Sequence, residues 1–584
     1  MRTFFTLLIA ALTACNAAPS QADYDLTRGG RVEVFFNEPG TRIENMWEPD
    51  AEDILVNMID GADAELDVAV MGFTRQRVID AIIRAWDRGV AVRFVGDAGH
   101  LYNTGYRQLD ERQVPMVTGN LAHIMHNKFF IVDRRFVFTG TSNISDTDLR
   151  HNSNNFTVID SPPVAADFTA EFEQMFDGVF GHNKVELFNG RSYTVGDTEV
   201  EVWFSPNEDA MGRILEYVDA AEESIRFTIF AFTKDQVGSS FIRKQEQFEV
   251  LNAQDGRDDA FNPYANDTIR SVAGVIDQSQ LHSNRQYHEV FRLLGAGVPI
   301  RMDGNDNGRQ PGDYQAGGGR LHSKTMVIDA YGDNPVVITG SFNWSSSATV
   351  SNDEFLLVLK GERVAREFDQ YFQTLWGQGR VAGGERASTG EIAPGDIVIN
   401  EVQWYGVHDL NEDGTDEFIE LRNLTDREVN LDLWQVANPD DFIVGLPPGA
   451  RIGPGETFLI LDHTLEEYAD GVPQDEPSAY RNGDLVMNSF NDDRQSRLYL
   501  KDGALELLLK DPQGAVIDIA GDGGPAFAGG PEGGAVYSME RNANPGDGAQ
   551  PGSWHRSTHR DGLNVNEWAR PFIFASPGEP NSAD

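Results

Sequence analysis

Two His-Lys pairs stand at equivalent places in two copies of one sequence pattern. The first copy reads HNKFFIVDRRFVFTGTSN over residues 126–143, and the second reads HSKTMVIDAYGDNPVVITGSFN over residues 322–343. Lysine ammonium groups, amides and hydroxyls around two imidazoles can stabilise negative charge that develops on phosphate. One imidazole can attack phosphorus while the other transfers a proton, since the free pKa of imidazole is about 6.5. The pattern predicts a phosphoryl-transfer site that needs no metal.

Each His-Lys pair leads into apolar residues that predict a β-strand. Residues i and i+2 of a strand point to the same face, so the histidine and the lysine of each pair should project together. The glycine turn that closes each copy should let a ligand approach the backbone closely, with hydroxyl and amide donors beside it. The candidate catalytic residues are His126, Lys128, Asn143, His322, Lys324, Ser341 and Asn343, with Thr141 as the counterpart of Ser341.

Glu354 is the candidate for orienting one histidine through its second ring nitrogen, a role usually filled by a carboxylate. The second copy has four more residues between its Asp and its Gly than the first, from 329 to 340 against 133 to 140. With that difference removed, Glu354 aligns with Asn154. We therefore expect Glu354 to orient His322 and the Asn154 amide to stand at the equivalent place beside His126.

The two copies belong to an internal duplication with halves at 31–190 and 191–380. The matching segments are 31–40 with 199–208, 53–74 with 213–233, and 78–97 with 287–305. Residues 234–272 would then be an insertion in the second half. Strands that alternate with helices predict an α/β sandwich with a mostly parallel central sheet.

The chain changes character after residue 380. Residues 381–395 are rich in Gly, Ala and Ser and are predicted to be a linker. Residues 396–584 contain short alternating strands between Gly, Pro and Asp turns, which is typical of an immunoglobulin-like β-sandwich. An Asp/Gly-rich stretch here fits a calcium loop, or else a solvated turn, because no paired helix follows it. The candidate calcium ligands are Asp409, Asn411, Asp413 and Glu420.

The start of the chain predicts export. Residues 1–14 have one Arg before an apolar run that is too short for a mature membrane span, and are predicted to be a signal peptide. The ending Leu-Thr-Ala-Cys resembles the bacterial lipobox, and Cys15 is the only cysteine, so an intrachain disulfide is excluded. We expect an exported bacterial lipoprotein, held on a membrane by several acyl chains on Cys15, with residues 15–30 as a tether.

The chain is strongly acidic, with 92 acidic residues against 47 basic ones and a formal net charge of −45. Such a field repels nucleic acid at long range, but a local cationic cleft could outweigh it because salt screens exposed charges beyond about 10 Å. Binding of nucleic acid usually requires a face rich in Lys and Arg. The sequence shows no such cluster.

The two copies resemble the paired HxKxxxxD/GSxN motifs of the phospholipase D superfamily, over roughly residues 30 to 380. The resemblance implies a two-lobed α/β sandwich with its active site at the seam, and metal-independent phosphodiester cleavage. It also implies that His126 is the nucleophile and His322 the acid, and that the motif lysines and asparagines hold phosphate. Asp133 and Asp329 would be structural. The Glu354 assignment instead favours His322 as the more basic histidine.

Residues from about 394 to 462 resemble the lamin-tail domain of bacterial secreted enzymes, which implies a role in attachment. Three functions follow from the sequence. The first is hydrolysis of phospholipid head groups, favoured by the membrane tether and the acidic body. The second is a secreted or surface endonuclease of the same superfamily. The third is a surface-attachment protein. Because both half-sites lie in one chain, we expect a monomer.

Overall fold

The structure is a computed structural model, and it describes most of the two repeated halves and much of the C-terminal region. The described residues are 30–37, 51–119, 121–257, 261–264, 269–283, 288–303, 319–381, 392–405, 417–438, 442–446, 450–461, 468–469, 472–473, 484–486, 498, 500, 503–512, 514–560 and 573–582. The predicted signal peptide, Cys15, the tether, and the calcium candidates Asp409, Asn411 and Asp413 lie outside these residues. Among the helices within these ranges, none has the length and apolar character to cross a bilayer.

The first lobe is a seven-stranded sheet with helices on its faces. Its strand order is β1-β7-β6-β5-β2-β3-β4. The elements are β1 (Arg31–Phe36), α1 (Ala51–Asp60), β2 (Glu65–Val70), α2 (Gln76–Arg88), β3 (Ala91–Gly96), α3 (Thr104–Glu111), β4 (Met116–Thr118), β5 (Lys128–Val132), β6 (Phe136–Gly140), α4 (Asp146–Arg150), β7 (Asn155–Asp160) and α5 (Pro162–Phe176).

The second lobe repeats this plan in a nine-stranded sheet. Its strand order is β16-β12-β11-β10-β13-β14-β15-β9-β8. The elements are β8 (Arg191–Val195), β9 (Thr198–Ser205), α6 (Ala210–Ala220), β10 (Ser224–Ile229), α7 (Asp235–Asp255), β11 (Ser271–Ile276), α8 (Gln278–Ser283), α9 (Val290–Gly295), β12 (Ile300–Met302), β13 (Lys324–Ile328), β14 (Val336–Gly340), α10 (Ser346–Val350), β15 (Glu354–Lys360), α11 (Glu362–Gln378) and β16 (Arg380–Val381).

The expectation of a mostly parallel sheet was wrong. In the first lobe, β2, β3 and β4 pair in parallel, whereas β1, β7, β6, β5 and β2 pair antiparallel in that order. The second lobe has the same mixture. Only three residues separate β5 from β6, whereas a parallel connection needs about a dozen. The motif strands therefore form a hairpin.

The proposed match of 78–97 with 287–305 was also wrong, by one helix-strand unit. Strand β3 pairs in parallel with β2, and β11 pairs in parallel with β10, so α2–β3 corresponds to α7–β11. The presumed insertion therefore contains a lengthened counterpart of α2. The extra length, 21 residues in α7 against 13 in α2, hides the similarity in the sequence.

The two lobes share one hydrophobic core. Helix α5 of the first lobe also packs against β9 of the second, and α11 of the second lobe also packs against β1 of the first. The Phe168 ring on α5 lies 5.0 Å from the ring of Phe129 in the first lobe and 5.4 and 5.8 Å from those of Phe204 and Phe355 in the second. This shared packing fixes the position of one lobe against the other.

The C-terminal region is β-rich, as the immunoglobulin-like prediction requires. Its main sheets have the orders β26-β23-β18-β17-β31-β32 and β21-β20-β27-β28, with buried aliphatic residues and Trp434 and Trp554 forming one core. The strands are β17 (Ile397–Gln403), β18 (Phe418–Asn423), β19 (Val429–Asn430), β20 (Gln435–Ala437), β21 (Phe442–Gly445), β22 (Arg451–Ile452), β23 (Thr457–Leu461), β24 (Tyr468–Ala469), β25 (Val472–Pro473), β26 (Leu485–Val486), β27 (Glu506–Lys510), β28 (Val516–Gly521), β29 (Gly530–Glu532), β30 (Ala535–Tyr537), β31 (Met539–Arg541), β32 (Trp554–Arg556) and β33 (Ile573–Phe574).

Glu420 belongs to this packing, which differs from its predicted role as a calcium ligand. Its Oε1 accepts a hydrogen bond from Asn400 Nδ2 (2.6 Å), and its Oε2 accepts one from the Gly578 amide (2.6 Å). The carboxyl is buried, and burial raises its pKa to about 7. Oε2 therefore holds Gly578 against the sheet, and Oε1 bonds to the neighbouring strand β17.

Replacing Phe168 with Ala tests the shared core. We expect the free energy of unfolding to fall by about 3–5 kcal/mol, as for other buried Phe→Ala changes. Amide hydrogen exchange should quicken in β5 of the first lobe and in β15 of the second. Val250→Ala, at an exposed site on α7, should stay within about 0.5 kcal/mol. Faster exchange confined to β5 would contradict a common core.

Candidate functional site

The motif lysines are the first residues of two equivalent strands, and the motif histidines lie just before those strands. Lys128 begins β5 and Lys324 begins β13, each two residues after its histidine. Lys128 Nζ donates to the His126 carbonyl (2.6 Å), and Lys324 Nζ donates to the His322 carbonyl (2.6 Å). All four side chains are buried. In both lobes the lysine ammonium therefore folds back onto the backbone of its own histidine.

Backbone hydrogen bonds across the seam join the histidine segment of each lobe to the other lobe. The His126 amide donates to the Asp353 carbonyl (2.9 Å), and the Asp353 amide donates to Ile124 (3.0 Å). The second lobe has the same pair of bonds: the His322 amide donates to the Ser153 carbonyl (3.0 Å), and the Ser153 amide donates to the Arg320 carbonyl (2.8 Å). Each histidine is therefore held by the residues that begin β15 or β7 of the opposite lobe.

The carboxylate partner of the first histidine comes from the second lobe. His126 Nδ1 lies 2.6 Å from Glu354 Oε2, and a carboxylate can only accept, so the ring donates. Glu354 Oε2 also accepts from the Ser341 hydroxyl (2.7 Å), and Oε1 accepts from Asn352 Nδ2 (3.2 Å). These contacts fix the tautomer of His126 with its Nε2 unprotonated and directed away from Glu354.

The second histidine has an amide partner from the first lobe. His322 Nδ1 lies 3.2 Å from Asn154 Oδ1, which also accepts from the Thr141 hydroxyl (2.8 Å). Asp148 Oδ1 lies 3.4 Å from the same ring nitrogen. The expectation that Glu354 orients His322 was therefore wrong. Alignment of the copies gives the position of a residue within its own half, but the seam exchanges the partners between halves.

The charges of the site place the two histidines in different surroundings. Burial lowers the pKa of His126, while Glu354 opposes that effect. Burial, Lys324 and Lys128 together lower the pKa of His322 well below 6.5. Burial alone would raise the pKa of Glu354, but His126, Lys128 and Ser341 lower it overall. His126 is thus the histidine supported by an ionised carboxylate.

The two lysines repel each other in a buried space. Burial lowers the pKa of Lys128 to about 8, and burial together with Lys128 lowers the pKa of Lys324 well below 10.5. An oxyanion between them would favour both ammonium forms, because an opposite charge within about 4–6 Å stabilises the charged state. The site is therefore suited electrostatically to an anion.

The motif asparagines lie in the turns after β6 and β14. Asn143 Oδ1 accepts from the Gly72 amide (3.4 Å), whereas Asn343 Oδ1 is buried without a hydrogen-bond partner among the described residues. The glycines of these turns serve packing and do not make room for a ligand as expected. A Cβ on Gly140 would lie 2.2 Å from the Asn155 carbonyl oxygen, and at the equivalent Gly340 the distance would be 2.5 Å to Phe355 O.

The two motif aspartates lie at the far ends of their strands and clamp backbone amides, in keeping with their predicted structural role. Asp133 accepts from the amides of residues 63, 64 and 65 at 2.7–3.0 Å. Asp329 accepts from the amides of residues 222, 223 and 224 at 2.6–2.8 Å. Each aspartate ties its motif strand to the start of the neighbouring strand, β2 or β10.

Sequence reasoning missed a pair of buried aspartates that hold the residues before the histidines. Asp97 Oδ2 accepts from the Met125 amide (2.9 Å), and Asp277 Oδ2 accepts from the Leu321 amide (3.0 Å). They directly follow β3 and β11, which are equivalent strands. A correct alignment of those strands would have revealed them, because both end in an apolar run followed by Asp.

A buried ion network, also missed, supports only the His126 side. Lys184 Nζ contacts Glu171 and lies 2.9 Å from Asp353 Oδ1. Asn127 Nδ2, next to His126, donates to Glu171 (3.3 Å). Ser323 occupies the place of Asn127 in the second lobe, and its hydroxyl donates to the Ser153 carbonyl. Nothing in the sequence spacing signals this network, since Lys184 lies in a part of the first half outside the matched segments.

Substitutions at Glu354 and Asn154 test whether each histidine is oriented by a residue of the opposite lobe, and this test needs no activity assay. Glu354→Gln should lower the pKa of His126 by about one unit or more, because it removes an adjacent opposite charge. Asn154→Asp, the matched change on the other side, should raise the pKa of His322. Both are measured from the imidazole proton shifts in NMR titrations. A Glu354→Gln effect on His322 in place of His126 would contradict the crossed arrangement.

Comparison with known proteins agrees with this architecture. A family model described as "Cardiolipin synthase, PLD-like domain" matches residues 55–176 and 214–376, and the Lamin Tail Domain model matches residues 391–524. A mitochondrial cardiolipin hydrolase of Chlamydomonas reinhardtii is 25% identical over 28% of this chain and 79% of its own length. A phospholipase D of Rickettsia felis is 24% identical over 28% of this chain and 80% of its own length.

Solved structures also match parts of the chain. Nuc from Salmonella typhimurium, a phospholipase D family member, matches with a TM-score of 0.24 and 23% identity, over 32% of this chain and 97% of its own. The phosphatidylserine synthase of Haemophilus influenzae matches with a TM-score of 0.42 and 11% identity, over 61% and 89%. By the two family models, the chain carries a phospholipase D-like region over residues 55–176 and 214–376, followed by a lamin-tail domain over residues 391–524.

Proposed function

We propose that this chain, a phosphodiester hydrolase of the phospholipase D type, cleaves phospholipid head groups through a phosphohistidine intermediate. The observation that carries the proposal is the 2.6 Å contact between His126 Nδ1 and Glu354 Oε2. It leaves the lone pair on His126 Nε2 and stabilises the positive charge that the ring gains during attack. His126 is accordingly the nucleophile.

In the first step, His126 Nε2 bonds to phosphorus and the bond from phosphorus to the head-group oxygen breaks. His322 gives its Nε2 proton to that oxygen, so the head-group alcohol leaves neutral. The low pKa of His322 is compatible with this role, because a bound phosphodiester adds negative charge and favours the imidazolium. Binding of the substrate therefore favours the protonated form of His322, which acts as the acid.

In the second step, His322 takes a proton from water, and the resulting hydroxide attacks phosphorus. The bond from phosphorus to His126 breaks, which releases the phosphatidyl group as a phosphomonoester and restores both histidines. Lys128 and Lys324, with the amides of Asn143 and Asn343, would hold the non-bridging oxygens. We infer that no metal cofactor is required, since two ammonium groups can neutralise the developing charge.

Ser341 and Thr141 have a positioning role in this scheme. The Ser341 hydroxyl donates to Glu354 Oε2 (2.7 Å) and the Thr141 hydroxyl donates to Asn154 Oδ1 (2.8 Å). Each therefore orients the group that orients a histidine. We expect neither hydroxyl to touch the phosphate.

The choice of lipid rests on the relatives and on the start of the chain. The two curated relatives described above are named for hydrolysis of cardiolipin and for phospholipase D activity. We propose that acyl chains on Cys15 keep the exported protein at a membrane, within reach of lipid.

The site takes both histidines from one chain, which supports a monomer. The lamin-tail domain would serve attachment.

Histidine substitutions with separate substrates test the proposal. The full-length protein with EDTA present should release head groups from phosphatidylcholine vesicles and leave single- and double-stranded DNA intact. His126→Asn and His322→Asn should each lower turnover by about 10²–10⁴-fold or more. His559→Asn, in the lamin-tail domain, should retain activity. DNA cleavage without lipid hydrolysis would contradict the lipid assignment, and loss of activity with EDTA would contradict the mechanism.

Trapping with ³²P-labelled phospholipid assigns the two roles. In His322→Asn, we expect acid-labile, base-stable label on His126, because hydrolysis of the intermediate lacks its base. In His126→Asn, we expect no label. Label on His322 in the His126→Asn protein would reverse the roles.

A further inference from the structure

Several exposed apolar side chains lie in segments whose neighbouring residues bond to the backbone around His126. Among the described residues, twelve large hydrophobic side chains are exposed, and five of them lie in three short segments. These five are Leu101, Tyr102, Leu121, Ile124 and Val350. Leu121 and Tyr102 are 83% and 72% exposed. Isolated exposed hydrophobics need no explanation, but a local concentration of them marks an interaction surface.

Direct contacts join these segments to each other and to the site. Asp97 accepts from the Met125 amide, which links the loop of Leu101 and Tyr102 to the residue before His126. The Asp353 amide donates to the Ile124 carbonyl. This bond links the segment before His126 to the end of α10 and to Glu354. A fourth segment joins them, since the rings of His123 and His182 lie 5.9 Å apart. We call residues 98–103, 121–125, 180–184 and 346–352 the apolar rim.

The apolar rim exposes no Asp, Glu, Lys or Arg side chain, although it contains His100, His123 and His182, in a chain whose formal net charge is −45. Its four segments read AGHLYN, LAHIM, FGHNK and SSATVSN, and they contain no Asp, Glu or Arg. The single lysine, Lys184, is buried against Glu171 and Asp353. The corresponding segment on the His322 side, α4, carries Asp146, Asp148 and Arg150. Helix α10 on the His126 side therefore differs in charge from its counterpart α4 on the His322 side.

We propose that the apolar rim docks on the surface of a phospholipid bilayer and places His126 at the head-group level. The proposal rests on the proposed function and names its physical substrate, a lipid in a membrane. Leucine, isoleucine and valine side chains gain free energy by entering the acyl boundary, and a tyrosine ring suits the interface between apolar and wet regions. Nucleic-acid binding usually needs Lys or Arg side chains, and the rim presents neither to solvent.

The test compares two matched double substitutions in a full-length Cys15→Ser background, so that lipid on Cys15 does not dominate binding. Leu101→Asp with Leu121→Asp alters the rim. Val250→Asp with Leu251→Asp makes the same change of charge at exposed apolar positions on the remote helix α7. Co-sedimentation with neutral phosphatidylcholine vesicles measures docking. Turnover of vesicles and of monomeric dihexanoyl phosphatidylcholine measures catalysis.

We expect the rim variant to lose at least about tenfold in vesicle affinity, and in the ratio of vesicle turnover to monomer turnover, because two apolar side chains no longer enter the lipid. The remote variant should match its parent in both measurements. Equal vesicle affinity in the rim and remote variants would overturn the docking proposal, whatever the turnover. Failure of the parent to hydrolyse the monomeric lipid, with docking intact, would instead overturn the proposed function.

Discussion

The hydrogen bond between His126 and Glu354 spans the seam between the lobes, and the proposed chemistry depends on it. It joins residues 228 positions apart in the chain, at a heavy-atom distance of 2.6 Å. The short cross-seam bonds of the neighbouring backbone hold both residues in place, and the aromatic core around Phe168 holds the lobes behind them. A displacement of one lobe would separate the nucleophile from its orienting group while leaving each motif intact.

The duplication gives two half-sites that are alike in geometry and unlike in charge. Each half offers a histidine, a lysine, an asparagine and a hydroxyl, but His126 has a carboxylate oxygen at 2.6 Å, whereas His322 has an amide oxygen at 3.2 Å and a carboxylate oxygen only at 3.4 Å. The buried Lys184 network adds to this difference, since it lies behind His126 alone. The asymmetry gives a physical basis for dividing the work, with a nucleophile on one side and a proton carrier on the other.

Much of the site could be predicted because its residue types recur at fixed spacing. The His-Lys geometry and the clamps made by Asp133 and Asp329 follow from strand periodicity and from the resemblance to a known family. The partner of Glu354 could not be predicted, because spacing orders residues within one half and carries no information about the opposite lobe. The sheet direction was open to prediction, since the three residues between β5 and β6 allow only a hairpin.

The apolar rim shows a different limit of sequence reasoning. Its segments are short, distant in the chain and individually unremarkable, and only the bonds at Asp97 and Asp353 bring them together. The absence of Asp, Glu and Arg from these segments is notable because the chain as a whole has a formal net charge of −45. Under the proposed function, such a face beside His126 would join membrane docking and catalysis on one surface.

A crystal structure of the protein with bound tungstate, as a mimic of phosphate, tests the central claim most directly. The account predicts one anion at the seam, with Nε2 of His126 and Nε2 of His322 on opposite sides of it, each within about 2.6–3.2 Å of an oxygen or of the metal atom. An anion bound to one histidine alone, with the other ring directed elsewhere, would contradict a phosphorus atom shared by the two lobes.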